Sequence, residues 1–373
     1  MQAWAAGSQP PRVVVVGGGT GSHTVLSGLR PLGTELASVV SVMDSGGSSG
    51  RLRDDYGFLP PGDARQCLVA LAGDERRTAL LRSLFNYRFR DQRPTQRARP
   101  ARSLDGHNLG NLFISALSDI TGSVEAAYEA AGGLLGVRGR VIPVSTSSVE
   151  LCARLADGHV LLGEAAIDVR REHLGAAIDY VFLDRPAYPT ATGVAVLREA
   201  DLVVIGPGDL YTSVIPNLLV EGIAEAIAAA RHRVFVVNLM TKRGETDGFR
   251  ASSFVERLLE YLNPGGLDAA LVNTGQVPDR LRQRYAAEGA FPVEADVGAI
   301  ESMGIEVVAR PLASSRYFMR HDPALLAHCL LEWLERQQHL ASVPAGNGLN
   351  RSPIEESGRN PVNGRVHVGH ASA

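Results

Sequence analysis

The stretch "RVVVVGGGTGSHTVLSGL", residues 12–29, decides the fold. Four consecutive valines leave no polar face, so this strand is buried on both sides, as strands of a parallel sheet are. The glycines that follow allow a tight turn, and "TVLSGLRPL" then reads as a helix. Similar apolar runs ending in polar or glycine-rich loops recur as "SVVSVMDSGG" (38–47), "DLVVIGPGD" (201–209), "RVFVVNLMT" (233–241) and "DAALVNTGQ" (268–276). Helical patterns follow the later ones. "IPNLLVEGIAEAIAAAR" has Pro216 near its first turn, and in "SFVERLLEYL" Ser253 and Glu256 have capping-box spacing. Strands alternating with helices predict an α/β, doubly wound, mostly parallel sheet. Two segments depart from the alternation. Residues 106–136 read as helical, and "RVIPVSTSSVELCARLADGHVLLGEAAI" reads as antiparallel strands with Asp157-Gly158 as a hairpin turn.

The predicted organisation is a flexible leader (1–11), one domain (12–340) with an insertion at about 87–195, and a disordered Gly/Asn/Ser/Pro-rich tail (341–373). Of the 373 residues, 45% are hydrophobic and 21% charged, and the net charge of −3 gives no global basic field for nucleic acid. The arginine-rich segment 87–106 reads as a solvated loop, with anion capture as the alternative. Cys67, Cys152 and Cys329 have no metal-ligand spacing and suit a reducing cytoplasm. No apolar run reaches the roughly 20 residues of a membrane span.

In open α/β sheets, ligands bind beyond the carboxyl ends of the strands. The loops expected there carry the candidate site. After the first strand, Gly18, Gly19, Thr20 and Gly21 lead into a helix whose N-terminal amides suit an anion. No G-x-x-x-x-G-K-[ST] is present, so a P-loop nucleotidase is unsupported. After the second strand, Gly46-Gly47-Ser48-Ser49-Gly50 fits G-x-S-x-G. A nucleophile elbow needs a helix directly behind the serine, and Gly57, Pro60 and Pro61 argue against one; His321 is the late core candidate for a triad histidine. Asp44, Ser45, Gly46, Gly47, Ser48 and Arg51 therefore read as a polar nest for phosphate or sugar. Asp44 and Asp63 are metal or hydroxyl contacts on one reading and ordinary loop acids on another. In "HNLGNLF", His107, Asn108 and Asn111 suit a sugar or phosphate, although Asn108 equally suits a helix cap. In "GPGDLYTSVIPNLL", Gly206, Gly208, Tyr211, Thr212 and Ser213 form a second anion-type loop, so the pair suits a diphosphate. In "NLMTKRGETDGF", the charges of Lys242, Arg243, Glu245 and Asp247 read first as solvated.

Taken in order, "GGGTG", "DSGGSSGRLR", "PPGDARQCLVAL", "HNLGNLF", "GPGDLYTSVIPNLLV", "NLMTKRGETDGF" and "RHDP" closely resemble the YvcK branch of the YvcK/CofD-like family, the gluconeogenesis factors, over residues 12–335. The resemblance implies a Rossmann-like fold and binding of uridine diphosphate-N-acetylglucosamine (UDP-GlcNAc) by a regulatory protein. That protein supports cell shape and wall synthesis on gluconeogenic carbon sources. It implies that Tyr285 and Arg320 hold the uridine end, by ring stacking and by a guanidinium on the carbonyl edge. It implies no cofactor and no resident metal, and it is compatible with wall- or shape-related protein partners and a homo-oligomer. The related CofD branch transfers a phospholactyl group to a deazaflavin, and Mg²⁺ is a candidate ligand only under that activity. That branch carries N-T-G-D-D where this chain has Met43-Asp44-Ser45-Gly46-Gly47, so Asp44 is expected to stand without an acidic partner, which favours binding over transfer. Lys242-Arg243 stands where the family often has Gln-Pro.

Overall fold

Val13, Val14, Val15 and Val16 are each almost wholly buried, and they divide between two cores. Val14 and Val16 pack into one with Ile205, Phe235 and Phe254, while Val13 and Val15 pack into the other with Leu26, Val204 and Trp333. Side chains on a strand alternate in direction, so a strand covered on both faces must be apolar throughout. The computed structural model describes residues 9–73, 76–90, 104–170, 173, 175–314 and 318–342. Most of the expected leader (1–8), most of the arginine-rich segment (91–103) and most of the expected tail (343–373) lie outside these. The chain divides into two units, Met1–Leu334 and Glu335–Ala373. The first contains the whole sheet and the site.

Strands β1 (Arg12–Gly17), β2 (Glu35–Val40) and β3 (Arg140–Pro143) lie side by side in parallel. Next along the chain, β4 (Leu151–Leu155), β5 (Val160–Leu162) and β6 (Ile178–Leu183) form a separate antiparallel sheet in the order β5-β4-β6. The chain then returns to the main sheet with β7 (Leu202–Ile205), β8 (Arg233–Val236), β9 (Ala269–Asn273) and β10 (Glu306–Arg310). The seven-stranded order is β10-β9-β8-β7-β1-β2-β3, and every pairing is parallel. From β1 the chain builds outward one way to β3, and from β7 it builds the other way to β10. The crevice between β1 and β7 is therefore the topological switch point.

The doubly wound α/β fold, the small antiparallel sheet and the Asp157-Gly158 hairpin agree with the sequence reading, Gly158 turning at φ +92°. Three local expectations do not. The segment "RVIP" joins the main sheet as β3 rather than the antiparallel insertion, and β10 was not anticipated. Both are edge strands whose short apolar content resembles loop. A helix does follow the Gly/Ser stretch. Of the first helices, α1 (Gly19–Leu29) is followed by α2 (Gly47–Tyr56) and α3 (Gly62–Leu71), and Gly57 in the left-handed conformation ends α2 rather than preventing it. The helix expected to begin at Ser253 starts at Ala251, placing Ser253 inside it, where its hydroxyl accepts the Arg250 N–H. The rest of the β2–β3 connection is α4 (Arg76–Asn86), α5 (Leu109–Thr121) and α6 (Val124–Leu135).

At the switch point, α1 and the loop after β7 meet backbone to backbone. A Cβ on Gly21 would lie 1.8 Å from the Pro207 carbonyl oxygen. Replacing Gly21 with Ala must move main chain on one side, and the expected cost is about 1–3 kcal/mol. Gly133, exposed on α6 with nothing near its missing Cβ, is the matching control. Gly133→Ala should be neutral or stabilise by about 0.5–1 kcal/mol. Urea midpoints compare the two; equal midpoints would show that the close approach at Gly21 constrains nothing.

Candidate functional site

A cavity of about 530 Å³ opens at this switch point. Thr20, Gly21 and Thr24 reach it from the start of α1, Pro207–Asp209 from the end of β7, and Asn238–Arg243 from the end of β8. Asp168–Arg170 enter from the end of the short helix α7 (Glu164–Asp168). Tyr285 and Glu288 come from the end of helix Asp279–Ala287, and Met319–His321 from the hairpin of Ala313–Ser314 with Arg320–His321.

Thr20, Gly21, Gly208, Tyr285 and Arg320, all proposed from sequence as ligand contacts, line this cavity, as do Lys242, Arg243 and His321, which the sequence reading named in other roles. Tyr285 packs against Leu239, Val277, Leu281 and Met319, and its hydroxyl accepts the Met319 N–H at 3.2 Å. It thereby fixes the segment that carries Arg320. The Arg320 and Arg284 guanidinium carbons sit 5.5 and 4.8 Å from the centre of the exposed Phe318 ring. Among the described residues, neither Arg320 nor Arg243 has a carboxylate partner, so two cations at the cavity wall remain unneutralised. His321 is buried with its Nε2 unpartnered. Burial pushes its pKa down to about 4, so it is neutral at physiological pH.

The other residues lie away from the cavity lining. Gly18 faces Asp63: a Cβ there would be 2.0 Å from an Asp63 carboxylate oxygen. Gly19 takes φ +59°, and its N–H reaches the same carboxylate. The turn read as an anion cradle thus already holds an acid of the chain. In the stretch after β2, Asp44 accepts the Gly46 N–H at 2.8 Å. Ser45 accepts the Ala165 N–H at 2.8 Å, and its own N–H goes to Glu164. Gly46 precedes α2, and Gly47 begins it at φ +48°. Ser48 is buried, its Oγ 3.2 Å from His107 Nδ1 while accepting the Asn108 N–H. Arg51 donates to the Asp105 carbonyl. Asn108 caps α5 by accepting the Asn111 N–H, and Asn111 is held by Arg65 and Ser49. These bonds tie α2, α3 and α5 together. Gly206 turns at φ +71° beside β8, and Gly208 packs on Ser213. Tyr211 and Thr212 are buried without a hydrogen-bond partner for either hydroxyl, and the Ser213 carbonyl accepts from Asn217.

Asp44 does not stand alone. The carboxyls of Asp44 and Glu164 both lie near Gly46, and a Cβ on Gly62 would be 2.6 Å from Asp44. Burial, then the charge of Asp44, push Asp63 up to about 7. Burial, then Asp44 and Asp168, push Glu164 up to about 8. Burial also raises Asp44, against the opposing bonds from Gly46 and Ser49. The sequence could not reveal this grouping, because Asp44, Asp63 and Glu164 come from three separate segments. A second acid group was also missed. The Lys242 ammonium is hydrogen-bonded to Asp168, lies 2.7 Å from Asp209 and 2.8 Å from Glu245. Burial works against its charge, but Glu245, Asp209 and Asp168 together raise its pKa. Lys242 and Glu245 were visible in "NLMTKRGETDGF" but read as solvated; nothing in the sequence marked Asp168.

A family model described as 2-phospho-L-lactate transferase CofD matches residues 13–313. The gluconeogenesis factor of Bacillus subtilis is 38% identical, the match covering 88% of this chain and 99% of that protein. The gluconeogenesis factor of Halalkalibacterium halodurans is 38% identical over 86% of this chain and 95% of that one. A crystal structure of a UPF0052 family protein from Bacillus halodurans superposes with a TM-score of 0.80 at 36% identity, covering 87% of this chain and all of that one. A family model matches most of the chain and the relatives are matched over nearly their whole length: this chain belongs to the CofD-like family, in the branch of the gluconeogenesis factors.

Proposed function

We propose that the cavity binds a uridine diphospho-sugar, UDP-GlcNAc first among them. On this reading the chain is a cytoplasmic regulatory protein that couples the ligand to wall synthesis and cell shape during gluconeogenic growth. The observation that carries the reading is the meeting of Tyr285 and Arg320 on one cavity beside a second unneutralised arginine, Arg243. The two residues expected at the uridine end come from different elements, and they converge at the switch point where α/β folds bind nucleotides. Two free guanidiniums supply the charge a diphosphate needs, and planar forks suit phosphate oxygens. The cavity volume also falls within the range of small-molecule sites.

Titration calorimetry with UDP-GlcNAc should give saturable binding. Arg320→Ala and Arg243→Ala should each weaken it by about 1–3 kcal/mol, roughly 5- to 150-fold. Uridine without phosphates should lose less from Arg243→Ala than the diphosphate does. Wild-type protein that takes up no uridine nucleotide, but binds a deazaflavin, would overturn the reading.

A second reading, phospholactyl transfer, is favoured by one observation: Asp44 has the acidic neighbours it was expected to lack. Asp44, Asp63 and Glu164 are oxygen donors of the kind Mg²⁺ takes, and their mutual repulsion would be relieved by a cation that supplies charge neutralisation at a phosphate. None of the three lines the cavity, which keeps this reading second.

The same acids give a pH prediction common to both readings. Asp63 and Glu164 hold their protons in the folded protein up to pH about 7 and about 8, whereas in the unfolded chain they release them at ordinary carboxylate values. The folded state therefore binds more protons, and the stability gained by keeping them neutral is lost as pH rises through that range. His321, pushed down to about 4, acts with the opposite sign only below its unfolded value near 6.5. Thermal denaturation without divalent ions should show Tm falling from pH 6.5 to 8.5. Asp63→Asn and Glu164→Gln should each flatten that slope, and unchanged slopes would contradict the assigned protonation.

A further inference from the structure

The carboxylates of Asp168, Asp209 and Glu245 come from three segments, the end of α7, the loop after β7 and the loop after β8. Each places an oxygen within 4.8 Å of the others. That spacing is compatible with one hard cation shared among oxygen ligands. Lys242 fills the place. Its Nζ contacts all three acids, at 2.7 Å for Asp209 and 2.8 Å for Glu245, while its backbone N–H is anchored on Thr246 Oγ1 at 2.9 Å. Glu245 is 4% exposed, and its Oε2 finds no hydrogen-bond donor among the described residues. Two of the ammonium's hydrogen bonds go to Asp168 and Asp209, while its 2.8 Å approach to Glu245 is an ion pair that leaves Oε1 as well without a hydrogen bond. Both Glu245 oxygens, which a metal ion or its bound water could reach, are thus buried without a hydrogen-bond donor among the described residues. The neighbouring Arg243 lines the cavity instead and, among the described residues, has no carboxylate partner.

We propose that Lys242 is a tethered cation: its ammonium occupies the position of a divalent metal ion at the cavity wall, and Asp168, Asp209 and Glu245 form a latent oxygen-ligand metal site that Lys242 keeps filled. The consequence for the cavity is specific. A metal ion there would offer open coordination positions to a ligand phosphate, would exchange with solvent, and would carry two charges. A lysine offers one charge, cannot leave, and has its donors committed. Phosphate contacts then fall to Arg243 and Arg320, so this proposal rests on the nucleotide-binding reading for that consequence but not for the filled site itself.

The test titrates Mn²⁺ alone, without nucleotide, into full-length protein and follows the free-ion electron paramagnetic resonance signal. Wild-type protein gives a baseline stoichiometry, which includes any ion taken by Asp44, Asp63 and Glu164. Lys242→Gln should bind one further equivalent of Mn²⁺. The double variant Lys242→Gln/Asp209→Asn should return to the baseline or bind the further equivalent at least tenfold more weakly. Circular dichroism confirms that each variant is folded; should Lys242→Gln not fold, Lys242→Met with the same titration replaces it, and a Tm that rises with Mn²⁺ only in the variant is the expected sign. A folded Lys242 variant with no added equivalent, or one whose added equivalent survives loss of Asp209, overturns the proposal. Because no nucleotide is present, either result leaves the uridine reading to its own titration.

Discussion

The close approach of α1 to the loop after β7 is the constraint on which the site depends. With 1.8 Å between a hypothetical Gly21 Cβ and the Pro207 carbonyl, no side chain fits between these two segments. Their contact closes the gap that the strand order leaves between β1 and β7, where the chain reverses its direction of winding. Everything on the cavity wall is placed relative to that seam. Thr20 and Thr24 stand on one side of it, and Gly208 and Asp209 on the other. The loop after β8 follows from its parallel pairing with β7, which brings Lys242 alongside Asp209.

Charge then sets what the seam can accept. Six carboxyls cluster around it: Asp44, Asp63 and Glu164 on the β2 side, and Asp168, Asp209 and Glu245 on the β8 side. Asp168 feels both groups, since its charge helps raise Asp44 and Glu164 while it also bonds Lys242. An anionic ligand entering such a field is opposed unless protons or cations offset it. On the β2 side Asp63 and Glu164 offset the charge by holding protons up to pH about 7 and about 8, and on the β8 side the acids enclose an ammonium. The two guanidiniums are thereby left free to face the cavity.

The fold was legible because burial on both faces leaves a mark in composition: the valine run of β1 and the runs of β7, β8 and β9 have no polar face to disguise them. The edge strand β10 escaped because an edge need not be wholly apolar, and β3 was read as a strand but assigned to the antiparallel insertion. The site was legible only in part, and the reason is geometric. Tyr285 and Arg320 were reached through resemblance, Arg320 inside the motif RHDP and Tyr285 in a segment with no pattern of its own. The glycine-rich loops were found, but glycine records where main chain comes close to something, not what that something is. At Gly21 it is the Pro207 carbonyl, and at Gly18 it is Asp63.

Asp63 sharpens that last point. An acid seated against the first turn of α1 takes the amide dipoles that a phosphate would otherwise use. Buried there beside Asp44, it is held largely by the Gly19 N–H and by its proton, with Arg65 contributing attraction. Arg65 in turn is fastened to Asn86 and to Asn111, one of the residues read from sequence as a sugar contact, so Asn111 helps position the charge that steadies Asp63. The helix N-terminus still does the electrostatic work its sequence announces, but it does so for the protein's own carboxylate. On the other side of the seam the guanidiniums of Arg243 and Arg320 have no carboxylate partner among the described residues, and under the nucleotide-binding proposal a phosphate would find its positive partners there.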